Sequence, residues 1–383
     1  MTIQELHSNE ELRLHEFPVA RKTIFLGHAG VCPLPRGVAE AMKRFNEQCT
    51  QGDQEESLPP GFFSGIREKA CRLVSAKPEE IAFVGPTSLA LSFIAGGLKF
   101  RKTDNVLIYQ DDYPSNVYPW MTLAQRGIQV RYLNVKELGK IRLTDIKGQV
   151  DENTRLVALA SCHFLAGYRI DLEAIGKFLR ERGILFCVDA IQTLGAFPTS
   201  MEYVDFAAAD AHKWMLGPCA AGLMYVRNEV QDQLLPTTHG WHNIRCPNYV
   251  AQERLNYRTD ARRYEAGTAN LVGLAGLGAA MDLLLEIGIE SIAAEALRKR
   301  AWIVPELQAK GYEVLQANAA KENQGAMISF HKQGADLAAV HQKLKDANIL
   351  ISLRGDRSGR KLLRISPHFY NTDSELKRVL DML

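Results

Sequence analysis

Phe206-Ala207-Ala208-Ala209-Asp210-Ala211-His212-Lys213-Trp214 is the stretch on which the reading of this chain turns. It opens as an apolar run, and Leu216-Gly217-Pro218 leads on to a second run at 220–226. Lys213 is hemmed in by small and apolar residues between two expected strands. Burial disfavours the ammonium form, lowers its pKa and leaves an amine able to form a Schiff base. A lysine snorkelling from a strand end fits these residues equally well. Asp189 and Thr87-Ser88, upstream, separate the two readings.

The flanking runs are part of a longer pattern. Short apolar segments at 105–109, 129–133, 156–160, 184–188, 206–209 and 222–226 alternate with amphipathic stretches. In 171–182, Leu172, Ile175 and Leu179 share one helical face. Continuous apolar strands separated by helices predict an α/β fold. Its mostly parallel sheet is covered on both faces and binds its ligand at the carboxyl ends of the strands. After about residue 275 the pattern changes to long helices at 271–287 and 292–309. Short strands (327–330, 349–353, 362–365) then alternate with helices (337–347, 374–383), which suggests a smaller C-terminal α/β domain. The expected organisation is an N-terminal segment 1–20, a large domain 21–270 and a small domain 271–383. The acidic, Pro- and Gly-containing stretch 51–62 reads as a surface connection or a lid.

At 383 residues the chain is long enough for two domains, and 46% hydrophobic with 23% charged residues is the composition of a soluble globular protein. A net charge of +2 without a basic block argues against a nucleic-acid partner. No uninterrupted apolar run reaches about eighteen residues, so no membrane span is expected. The polar N-terminus lacks the apolar core of a secretory signal, and the expected location is the cytoplasm. Seven scattered cysteines form no CxxC pair. Neither a metal site nor a disulfide framework is indicated.

Asp189 ends the run 184–188 and so stands at the carboxyl end of a buried strand. A lone carboxylate there is costly unless it meets a cation. A protonated pyridine nitrogen is such a cation, and an Asp partner to it is what pyridoxal phosphate chemistry requires. Capping the following turn is the alternative. Gln192 could donate to the ring's phenolate oxygen. Gly85-Pro86-Thr87-Ser88 precedes an apolar helical stretch, whose free amides and hydroxyls suit an anion, though a plain N-cap accounts for one hydroxyl. Tyr113 could stack on a planar cofactor or serve packing. Gly267-Thr268 suits close approach to an anion. Arg364 interrupts an apolar strand, either to pair a structural carboxylate or to grip a substrate carboxylate bidentately.

Taken together, five ordered segments resemble the class V aminotransferase family of pyridoxal-phosphate enzymes, in the branch with cysteine desulfurases and isopenicillin N epimerase. They are 85–88, 188–192, 212–218, 265–270 and 364–372. The resemblance implies fold type I, with a seven-stranded, mostly parallel sheet in the large domain and a smaller C-terminal domain. It implies that Lys213 forms the Schiff base and moves the Cα proton, that Asp189 pairs the pyridinium and Gln192 the phenolate, and that Thr87, Ser88 and His212 hold the phosphate. Gly267 and Thr268 would reach the partner subunit's phosphate in a homodimer. Tyr113 matches the aromatic residue over the ring. Arg364 matches the residue that binds the α-carboxylate of a small amino-acid substrate, and His28-Ala29-Gly30 matches the segment that closes over it.

Three departures bear on activity. Asp210 stands where many relatives carry a phosphate-binding serine, and a carboxylate beside a dianion must point away or meet a cation. In Ser161-Cys162-His163-Phe164 no amide side chain is present, so His163 either replaces it near the substrate or is packed. The loop before Arg364, Leu353-Arg354-Gly355-Asp356-Arg357-Ser358-Gly359-Arg360-Lys361, lacks the desulfurase cysteine. Its four basic residues are either solvated or select a second acidic group. Transamination is the leading expectation, with β-elimination of the C–S lyase type or epimerisation as alternatives. A non-catalytic scaffold or regulator is opposed by the joint presence of Lys213, Asp189 and Arg364. The absence of GxGxxG and GxxxxGK[ST] opposes a nucleotide-binding enzyme.

Overall fold

The apolar runs become the strands of one sheet in the computed structural model, which describes residues 1–383. The chain begins with α1 (Ile3–Ser8), α2 (Glu10–Glu16), β1 (Ile24–Phe25), α3 (Arg36–Gln48) and α4 (Phe62–Val74). Next come β2 (Ile81–Phe83), α5 (Thr87–Gly97), β3 (Asn105–Ile108), α6 (Tyr118–Met121), β4 (Gln129–Tyr132) and α7 (Leu143–Lys147). Then β5 (Thr154–Ala160), α8 (Leu172–Arg180), β6 (Leu185–Asp189), β7 (Phe206–Asp210) and β8 (Gly222–Val226) complete a seven-stranded sheet in the order β2-β8-β7-β6-β5-β3-β4. Strands β3 to β7 run parallel, while β8 is antiparallel to both its neighbours, β7 and β2.

The central strands are largely apolar because both faces are covered, whereas β4, at the sheet edge, has no buried residue. Leu107, Val157, Leu159, Phe186, Val188, Ala207, Ala209 and Leu223 enter one buried cluster. Their alternates Val106, Ile108, Leu156, Ala158, Leu185, Cys187, Ala208 and Met224 enter another on the opposite face. The carboxyl ends of β3, β5, β6 and β7 come to one edge and release Tyr113, His163, Asp189 and His212-Lys213 there.

After α9 (Leu271–Ile287) the chain turns at Gly288 into α10 (Ile289–Ala309), with the two helices bent by 74°. No single helix is long and apolar enough to cross a membrane. The remaining elements are β9 (Glu313–Val314), β10 (Ile328–His331), α11 (Leu337–Asp346), β11 (Ile349–Leu350), β12 (Ser352–Gly355), β13 (Lys361–Ile365) and α12 (Asp373–Met382). They build a four-stranded antiparallel sheet, β12-β13-β10-β9, with its own apolar core.

Both expected domain boundaries need correction. Leu274, Leu277, Met281 and Leu284 of α9 belong to the core of the large domain, so the break lies at Gly288 and not at 270/271. At the other end, β1 pairs in parallel with β11, and Ile24 and Leu26 are buried in the small-domain core. Arg13 of α2 reaches Glu375 at 2.9 Å, tying the N-terminal segment to α12. The expected strand 349–353 is two strands, β11 and β12, separated at Ile351.

Candidate active site

Lys213 lies in the tight turn after β7, where Leu216 N–H returns to its carbonyl at 3.2 Å and Gly217 N–H to that of Ala211 at 2.9 Å. Only 7% of the residue is exposed. Burial pushes its ammonium down to about 8; Asp189 opposes this, and the charges of Arg364 and Arg354 add to it. The amine stands 5.2 Å from the ring centre of Tyr113, which leans edge-on against Phe164 at 5.4 Å. Asp189 is buried, and burial raises its carboxyl to about 6 against the pull of Lys213. One of its oxygens accepts from Ile191 N–H at 3.1 Å, and the other has no hydrogen-bond partner. A second buried carboxylate, Asp112, shares the charge of this centre and is likewise raised to about 6 by burial. It accepts from Tyr113 N–H at 2.7 Å and from the Asn116 amide at 3.0 Å. Asp112 was legible by the reasoning applied to Asp189, since both follow an apolar strand, yet the sequence reading passed over it.

At the next strand end, Thr87 and Ser88 open α5 with backbone amides that find no partner. Their approach to β8 requires Gly85, because a Cβ there would lie 2.7 Å from the Ala220 carbonyl carbon. The Thr87 hydroxyl accepts from Asp210 N–H at 2.8 Å, and the Ser88 hydroxyl donates to Ser115 at 2.7 Å. Asp210 is explained by the same corner. Its carboxylate accepts from the amides of Ala211 (2.8 Å), Ala220 (3.0 Å) and Ala221 (3.1 Å) and binds His212 Nδ1 at 2.9 Å. Although burial opposes it, these contacts hold the carboxyl below its ordinary range. The acid therefore points into a cage of donors, away from the Thr87-Ser88 amides, and fixes the ring of His212.

Arg364 lies on β13 and is 1% exposed, donating to the Phe164 carbonyl and, at 3.5 Å, to Ser352. Its Nε has no partner. Burial lowers its guanidinium to about 9, with Arg354 adding to the effect. Gln192 accepts from the Trp214 indole at 2.9 Å and gives one amide proton to the Ala29 carbonyl at 3.2 Å, leaving one free. The Ala29 N–H is unpaired. Two expected substrate contacts are corrected. His28 is fully buried, with Nδ1 on the Ser366 carbonyl and Nε2 on the Tyr370 hydroxyl, both at 2.9 Å. His163 bonds the Asp111 carbonyl through Nε2 and accepts from Ala166 N–H at Nδ1, again both at 2.9 Å. Burial lowers these rings to about 3 and about 4, so both are neutral, saturated packing groups. Gly267 and Thr268 are exposed, and Thr268 donates to Glu55 at 3.4 Å. The stretch 51–62 accordingly lies beside them.

The model of the family "Aminotransferase class-V" matches residues 24–379. The chain belongs to the class V aminotransferase family. A probable cysteine desulfurase of Methanothermobacter thermautotrophicus is 30% identical over 394 residues, spanning 96% of this chain and 95% of that protein. An uncharacterized aminotransferase of Bacillus subtilis is 27% identical over 318 residues, covering 82% and 81%. The apo cysteine desulfurase from Thermococcus onnurineus superposes with a TM-score of 0.87 at 24% identity, covering 97% and 96%, and so shares the fold. As a class V family member, the protein is a pyridoxal-phosphate-dependent transferase or lyase. Its residues fit that cofactor. The uncommitted oxygen of Asp189 can accept from a pyridinium, the α5 amides can receive a phosphate, and Lys213 presents a buried amine between them.

Proposed function

We propose that this chain cleaves the Cβ–S bond of a small sulfur-containing amino acid by β-elimination. The observation that carries the reading is the pairing of desulfurase kinship with a hairpin before Arg364 that lacks a cysteine. Hairpin β12–β13 contains no cysteine. Cys32 and Cys162 are buried, and burial pushes both thiols up to about 12. With no thiolate offered by the hairpin to attack the sulfur, the sulfur leaves with the electron pair of the C–S bond.

Bound pyridoxal phosphate supplies an electrophilic carbon for the substrate amine and an electron sink for Cα. Asp189 would keep the pyridine nitrogen protonated, and Thr87, Ser88 and His212 would hold the phosphate. Arg364 and the Ala29 N–H would grip the α-carboxylate, and Tyr113, whose ring lies 5.2 Å from the Lys213 amine, would pack against the cofactor. Lys213, with its lowered pKa, takes the Cα proton as the C–S bond breaks. Pyruvate and ammonia follow by hydrolysis. Gly267 and Thr268, exposed in the single chain, reach the phosphate of a second copy in a homodimer.

Transamination is the second reading, favoured by the aminotransferase relative and by the same Cα deprotonation. A product assay separates them. Acceptor-independent pyruvate with ammonia from a sulfur amino acid is expected; keto acid that appears only with an added keto-acid acceptor overturns elimination.

A further inference from the structure

Hairpin β12–β13 carries five basic residues, and two are held by acidic partners. Arg357 donates to the Asp111 carboxylate and the Gln110 carbonyl, and Arg360 pairs with Asp356 at 2.9 Å. Lys361 is exposed on the face of β13 opposite Arg364. Arg364 faces Lys213. On the Arg364 face of the hairpin, Arg354 also lacks an acidic partner, its only hydrogen bond being a long one, 3.5 Å, to the carbonyl of Leu353.

The register fixes where Arg354 looks. Ser352 is opposite Arg364, and Arg354 is opposite Leu362. Residues two apart share a face, so the two arginines are diagonal neighbours on one face of the hairpin. The Arg354 guanidinium extends over the 28–30 segment, since a Cβ on Gly30 would lie 3.8 Å from its NH2. Both Lys213 and Arg364 sense its charge. Like charges on one sheet face repel, an arrangement relieved when an anion joins them. One α-carboxylate satisfies Arg364 bidentately and leaves Arg354 unneutralised.

We propose that Arg354 is a specificity residue that binds a second acidic group at the far end of the substrate, so that the preferred ligands are amino diacids. This rests on Arg364 being the α-carboxylate site, and it is independent of the choice between elimination and transamination.

The test uses holoenzyme and amino acids with no sulfur leaving group, so that loss of lyase activity cannot disguise the outcome. Binding of L-aspartate, L-glutamate and L-2-aminoadipate is measured by calorimetry and by the cofactor's absorbance change, against L-alanine, L-asparagine and L-glutamine. At least one diacid is expected to bind tenfold or more tightly than its amide or than alanine. Arg354→Gln should bring acid and amide within twofold of each other, while Arg357→Gln keeps the preference. Equal affinity for diacids and neutral amino acids in the native enzyme overturns the proposal. So does a preference that survives Arg354→Gln.

Discussion

Asp210 shows how one carboxylate can be costly in one direction and useful in another. Its oxygens satisfy three backbone amides and orient His212, so it organises the corner proposed to receive the phosphate. Asp210→Ala strands those donors. Leaving buried donors unsatisfied costs ~1–3 kcal/mol each, so a loss on the order of 3 kcal/mol is expected in urea unfolding, together with faster cofactor loss on gel filtration. An Asp210→Ala protein as stable as the native one would refute the cage. Lys213 yields a pH prediction. Its amine form grows as pH rises through about 8. Capture of pyridoxal phosphate by apoenzyme, followed by absorbance, should therefore accelerate across that range. Arg354 lowers the Lys213 pKa and Asp112 raises it. Arg354→Gln should accordingly move the pH limb upward and Asp112→Asn downward; displacements of the same sign would contradict this charge arrangement.

At the level of elements, the central strands were legible because they are apolar for most of their length, a pattern that burial on both faces imposes, whereas edge strand β4, Gln-Val-Arg-Tyr, has no buried residue. The antiparallel edge strand β2 escaped notice, being three residues long with its last residue only part-buried. Site residues at strand ends, Asp189 and Lys213, could be read from their place after apolar runs. Arg354 could not be singled out from Arg357 and Arg360, because hairpin register and ion pairing distinguish them, and neither is written in composition. His28 was assigned to the segment over the substrate and His163 left between a substrate contact and packing for a related reason: a histidine next to the site and one saturated by local hydrogen bonds look alike in one dimension. Another element-scale device was also hidden. Arg67 of α4 meets Glu265 in a buried bidentate pair at 2.8 and 3.1 Å, and Glu265 also accepts from Phe83 N–H of β2 at 2.8 Å. This cluster anchors the Gly267-Thr268 loop to the sheet edge. Removing one member of a buried pair leaves an uncompensated charge, so Glu265→Ala should cost ~3–5 kcal/mol in chemical denaturation. A change below about 1 kcal/mol would show the pair to be dispensable, since that is the scale of an exposed ion pair.

For the whole molecule, the open question is whether one chain completes its own site. A Cβ on Gly267 would meet nothing within 4 Å, and Thr268 beside it is exposed. Large apolar side chains at Tyr118, Trp241 and Tyr249 are exposed as well, at 64%, 41% and 78%. Within one subunit a bulky residue at 267 has room, whereas in a twofold dimer whose loop enters the neighbouring site it collides with the partner's phosphate pocket. Gly267→Trp should therefore abolish activity without unfolding the subunit, as Lys213→Ala abolishes it by removing the amine. Mixing the two inactive variants under conditions that exchange subunits then gives a decisive readout. In a mixed dimer, the site with native Lys213 receives native Gly267 from the other subunit, while the second site is doubly damaged. Random exchange makes about half the dimers mixed, each with one intact site, so recovery should approach about a quarter of native activity. If the loop served its own subunit, neither chain could repair the other and mixing would restore nothing.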